Sequence, residues 1–124
     1  MVDVSEKSET TKKTMVEIIR EVVILMVKYL VWGSQQTPAQ VFLYNCFQGL
    51  VGIDPWAVIT ALGEAEGNKL NPKWIILLYN KLMREEYAPN YVRVVLIKFT
   101  RAFTGETLLQ AKTFVEEVVN REIG

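Results

Sequence analysis

The chain has 124 residues, half of them apolar, and its 14 basic side chains balance 14 acidic ones, which describes a single globular domain. A domain of this length buries roughly two-thirds of its unfolded surface, and a charged fraction of 23% is too low for a disordered chain. It holds no histidine, one cysteine (Cys46) and two aspartates (Asp3 and Asp54), which removes most catalytic chemistry at the outset.

A lone Cys46 cannot close an intrachain disulfide, so nothing marks a secreted, disulfide-stapled scaffold. Met1 is followed by Val-Asp-Val-Ser-Glu-Lys, which lacks the apolar core of a secretory signal. The apolar windows Val22–Trp32 and Val41–Ile53 span 11 and 13 residues and include Lys28, Asn45 and Gln48. A bilayer needs about 20 apolar residues, so both windows suit buried helices and the expected location is cytoplasmic.

In chain order, residues 1–12 are polar and are expected to form a flexible tail, with a single helical domain over 13–124. Thr14 and Glu17 form a capping box that opens a helix running to about Trp32, with Gly33 in the left-handed position after it. Glu17, Arg20, Glu21 and Lys28 occupy only a narrow stripe of that helix, so it is expected to be central or shared with another chain. Thr37-Pro38 opens a second helix that ends near Gly49–Gly52.

Asp54-Pro55 opens a third helix, closed by Gly67, with Ile53 and Val58 as a hydrophobic staple. Asn71-Pro72 opens a fourth, with Leu70 and Ile75 as its staple, and Ala88-Pro89 is expected to end it. The stretch Tyr91–Phe99 is apolar at both strand and helix periods. Val92, Val95, Leu96, Phe99 and Phe103 fit one helical face better, which predicts a helix. After Thr104-Gly105, a last amphipathic helix turns Leu108, Ala111, Val115 and Val118 inward and Glu106, Gln110, Glu117 and Arg121 outward.

The expected fold is therefore all-α, a compact bundle of about five to six short helices. Its four prolines, at 38, 55, 72 and 89, are evenly spaced 17 residues apart. Equally short helices with tight connections explain that spacing without an internal duplication, since the columns between them share little.

Little in the chain supports chemistry. Metal sites need clustered His, Cys or carboxylates, and Glu85-Glu86 and Glu116-Glu117 are adjacent pairs that diverge on a helix. Cys46 lies among Leu43, Phe47 and Leu50 and has no histidine to act as its base, so packing is its expected role. No glycine-rich phosphate loop is present. The expectation is a non-enzyme with no catalytic residues, no metal and no cofactor.

Charge is unevenly distributed: residues 69–112 carry eight basic and three acidic side chains, whereas residues 1–66 carry five and eight. Lys69, Lys73, Lys81, Arg84, Arg93, Lys98 and Arg101 are the candidate nucleic-acid-binding residues. Lysine and arginine grip phosphates, and Tyr87 and Tyr91 in the joint between two helices offer bases a stacking surface. The competing reading is an ordinary solvated helix face. Trp32, Trp56 and Trp74 are candidate interface anchors or, more simply, packing at helix starts.

In length, helical content, lack of catalytic groups and the basic residues Lys73, Lys81, Arg84, Arg93 and Arg101, the chain resembles the small all-helical subunit of archaeal type I-A CRISPR surveillance complexes. The resemblance covers about residues 14–122. It implies a subunit that lines the interior of a ribonucleoprotein, holds target strands beside a guide RNA and touches neighbouring subunits through apolar helices. Two other functions fit the composition: a self-associating scaffold subunit of virion type, and a small helical transcription regulator. The latter would need a recognition helix with Arg, Asn or Gln at its start, and none stands out.

Overall fold

The computed structural model describes residues 12–31 and 53–123. The described residues form five α-helices and no strand: α1 (Met15–Val31), α2 (Pro55–Ala65), α3 (Pro72–Arg84), α4 (Pro89–Thr104) and α5 (Leu108–Ile123). The helix expected after Pro38, the glycine stop at Gly33, Trp32 and Cys46 lie outside the described residues.

Helix starts follow the local chemistry of the sequence. Thr14 Oγ1 accepts the Glu17 N–H at 3.1 Å, and Glu17 Oε1 accepts the Thr14 N–H at 2.8 Å, so two otherwise unpaired donors are satisfied reciprocally. Asp54 caps α2 by accepting the Trp56 N–H, and Asn71 caps α3 by accepting the Lys73 N–H. Pro55, Pro72 and Pro89 each occupy the first helical position, where a missing N–H costs nothing. The even spacing of these three prolines is therefore a spacing of helix starts. Leu70 and Ile75 are both buried, as a staple requires, whereas of the Ile53 and Val58 pair Ile53 is 39% exposed and Val58 alone is buried.

Two expectations are corrected by the chain's turns. The helix after Pro72 stops at Arg84, where Glu86 takes a left-handed conformation (φ 66°), so Pro89 opens the next helix and does not end this one. Glu106 precedes α5 and is half-buried, because Thr107 starts that helix: Thr107 and Gln110 form a second capping box, at 3.1 and 3.2 Å.

The core assembles around α4, which packs on α2, α3 and α5. Its inward face is the predicted one: Val92, Val95, Leu96, Phe99 and Phe103 are all buried. Thr100 is the buried polar residue of this face, and its hydroxyl donates to the Leu96 carbonyl at 2.9 Å, which leaves no donor stranded. Helix α1 packs on both α2 and α3 and buries Ile18, Ile19, Val22, Val23, Met26 and Val27. One side of α1 is thus packed within the chain, while Val16, Leu25 and Tyr29 remain exposed, and the helix at the centre of the core is α4. Each of the buried side chains contributes about 1.5–3 kcal/mol by leaving water.

Two helices approach closely at a glycine. A Cβ on Gly63 of α2 would lie 2.7 Å from the carbonyl carbon of Phe103 in α4, so only glycine fits. The Asn68 side-chain amide donates to the same Phe103 carbonyl at 3.1 Å, from a left-handed position (φ 62°) that asparagine tolerates. On α5, Ala111, Val115, Val118 and Val119 face the core, but Leu108 is 57% exposed. Leu108 is the first residue of its helix and lies beside the outer face of α4, beyond the reach of the core.

Candidate nucleic-acid interface

The seven candidate basic residues fall into separate groups, each set by the register of the helices. At the start of α3, Lys73 Nζ sits 3.3 Å from the ring centroid of Tyr29 and 5.1 Å from that of Trp74. The two rings meet edge to face, 5.7 Å apart. Beside them lies an open groove of about 500 Å³ whose lining includes Tyr29, Glu66, Lys69, Asn71 and Trp74. Lys69 and Lys73 are exposed, Tyr29 is 54% exposed and Trp74 is buried. The groove also meets the N-terminus of α3, whose partial positive charge adds to that of the lysines; Glu66 opposes them.

At the far end of α3 the charges are mixed. Glu21 of α1 is bridged by Lys13 at 2.7 Å and by Lys81 at 3.3 Å. The hydrogen bond from Lys13 is the main reason that the Glu21 carboxyl is held below its ordinary range, with Lys81 adding to it against the cost of burial. Arg84 lines the same small recess together with Glu85. Lys81 thus shares Glu21 with Lys13 and is engaged within the fold, and this end of α3 is a structural clamp. The clamp continues into the joint: the Lys13 N–H donates to Glu85 at 2.8 Å, and the Tyr87 hydroxyl donates to the Lys13 carbonyl at 2.6 Å.

Tyr87 and Tyr91, expected to form a stacking surface, do lie against each other with centroids 5.4 Å apart at 29°. Tyr87 is half-buried, with Lys12 Nζ 4.3 Å over its ring, whereas Tyr91 is 41% exposed. Burial raises the Tyr87 phenol above its ordinary pKa, in keeping with a hydroxyl fixed as a donor.

The remaining cations belong to α4. Lys98 lies 4.4 Å over the ring of half-buried Trp56, and Arg101 Nε donates to the Glu106 carbonyl at 3.3 Å. Both are exposed and border Val94, Ile97 and Leu108, whereas Arg93 is half-buried. The structure thus sets Lys73 over aromatic rings with Lys69 in the adjoining groove, pairs Lys81 with Glu21 and places Arg84 beside Glu85, and sets Lys98 and Arg101 around an apolar groove.

Sequence reasoning missed Tyr29 and Lys13. Neither carries a local motif, and both earn their roles through the antiparallel register of α1 against α3. Among the described residues no group of three or more His, Cys, Asp or Glu is placed to hold a metal ion. No helix among them is long and apolar enough to cross a membrane.

The class that this fold defines is a small all-helical domain. No protein-family model, no curated protein and no solved structure gives a significant match to the chain.

Proposed function

We propose that the chain is a non-enzymatic helical subunit of a multi-subunit ribonucleoprotein that contacts nucleic-acid backbone at the α3 start. The observation that carries this reading is a groove lined by exposed Lys69 with Tyr29 and Trp74, the two rings over which exposed Lys73 sits. Cations there neutralise phosphates, and the half-exposed Tyr29 ring, covered on one face by Lys73, offers a base its other face, a contact worth about 1–3 kcal/mol per base. Two lysines give a weak site on their own, so the reading requires an assembly in which several copies or neighbouring subunits act together. The small-subunit role in type I-A CRISPR surveillance complexes is the specific form that the resemblance implies, with guide or target strands as the nucleic acid.

The test is purification of the tagged protein from its native cells, followed by mass spectrometry and nuclease treatment. Larger protein partners together with a short, defined RNA support the proposal. Protein that arrives only with copies of itself and free of nucleic acid refutes it, and supports the scaffold reading. That second reading draws on one observation: Val94 and Leu108, which line one groove, are 62% and 57% exposed, and Leu109, next to Leu108 in the chain, is 72% exposed.

A further inference from the structure

The outer face of α4 has a chemistry of its own. Ile97 and Lys98 lie three and four residues after Val94 and four and three before Arg101, so the four residues share one side of the helix. With Leu108 at the start of α5 they line an open groove of about 270 Å³. Its floor is aliphatic and its rim is cationic. Both cations are held in place, Lys98 by the face of Trp56 and Arg101 by the Glu106 carbonyl. Among the described residues no carboxylate pairs with either of them.

We infer that this groove docks an acidic amphipathic segment of a partner protein, which sets apolar side chains against Val94, Ile97 and Leu108 and carboxylates against Lys98 and Arg101. Charge decides the occupant. A two-fold contact between copies through the same face would gather four cations, Lys98 and Arg101 from each copy, in a patch whose lining holds no carboxylate, which is repulsive. Nucleic-acid backbone gains nothing from an aliphatic floor with no exposed ring in it. A helix carrying leucines at three- and four-residue spacing and glutamates beside them satisfies floor and rim together. The Nε of Arg101 is engaged by Glu106, and its terminal amino groups remain for a carboxylate. This inference does not rest on the nucleic-acid reading: it assigns Lys98 and Arg101 to a protein contact and leaves Lys69 and Lys73 to their own groove.

The experiment uses the full chain and two labelled synthetic peptides of the same leucine pattern, one with glutamate and one with lysine at the polar positions, followed by fluorescence anisotropy. The glutamate peptide is expected to bind and the lysine peptide not to. Lys98→Glu with Arg101→Glu should weaken the glutamate peptide by about tenfold or more and admit the lysine peptide, because the rim charge is inverted. Leu108→Ser, at an exposed position that leaves the core intact, should also weaken it, whereas Lys69→Glu with Lys73→Glu should not. Circular dichroism checks that each variant is folded. Equal binding of both peptides, absence of binding, or indifference to the charge inversion overturns the inference. So does a dimer of the wild-type chain that Val94→Asp dissociates, which would make a second copy the occupant. Loss of single-stranded RNA binding in the Lys98→Glu, Arg101→Glu protein would make it nucleic acid.

Discussion

Gly63 of α2 lies so close to Phe103 of α4 that a methyl group on its Cα would run into the Phe103 backbone. The obstacle is backbone in the last turn of α4, held by the bond from Asn68, not the mobile end of a side chain, so it cannot yield cheaply. Gly63→Ala is therefore expected to destabilise the fold by about 1–3 kcal/mol, although alanine is the better helix former. Urea denaturation followed by circular dichroism measures it. A change below about 0.5 kcal/mol would mean that α2 and α4 do not approach as described.

Glu86 takes a left-handed conformation (φ 66°) at the end of α3, which costs a side chain with a Cβ roughly 1–2 kcal/mol. Glu86→Gly should raise stability by about 1 kcal/mol, less the greater freedom glycine gives the unfolded chain. The expected result is a higher thermal midpoint. An unchanged or lower one would contradict the turn geometry.

Glu21 links α1 to α3 through Lys13 and Lys81, and its carboxyl is held below the ordinary 4.5. A lowered folded-state pKa adds stability that is present above the unfolded value and is lost as the pH falls through the folded one. The Lys13–Glu21 pair is over a third exposed, so Glu21→Gln should cost only about 0.5 kcal/mol at neutral pH, with the difference from wild type vanishing in acid. A pH-independent difference would show that packing, not charge, holds the residue. Lys81→Glu sets a second carboxylate against Glu21 and is expected to loosen the fold itself.

Val27 is fully buried in α1. Val27→Asp strands an unpaired charge there, at a cost of several kcal/mol against a typical domain stability of about 5–15 kcal/mol. Loss of the helical circular dichroism signal, or a collapse of the thermal midpoint, is the expected outcome. A folded variant of near wild-type stability would place this face of α1 outside the core.

Features fixed by near neighbours in the chain were legible in the sequence. The cap at Thr14, the starts at Asp54-Pro55 and Asn71-Pro72, the staple of Leu70 and Ile75 and the inward face of α4 each follow from residues within a few positions of one another. The cap at Thr107 and Gln110 carries the same signature, two residues after Gly105. Lys73 over Tyr29, Lys81 against Glu21 and Gly63 against Phe103 are pairings between helices, set by crossing angle and register, which no local pattern encodes. For the same reason the basic residues looked like one face in the sequence, whereas the fold distributes them among an aromatic groove, an ion cluster and an apolar groove.

The central claim is that Lys69 and Lys73, beside Tyr29, contact nucleic-acid backbone. The most direct measurement is binding of a labelled single-stranded RNA across a salt series, by wild type and by the Lys69→Glu, Lys73→Glu protein. Each phosphate contact contributes about 0.7 to the slope of log affinity against log salt on a single strand, so removing two should flatten it by about 1.4 and weaken binding at low salt. Tyr29→Ala should weaken binding while leaving the slope unchanged. Unaltered affinity and slope in the double variant would remove this groove from any nucleic-acid site and leave its lysines as solvated charges.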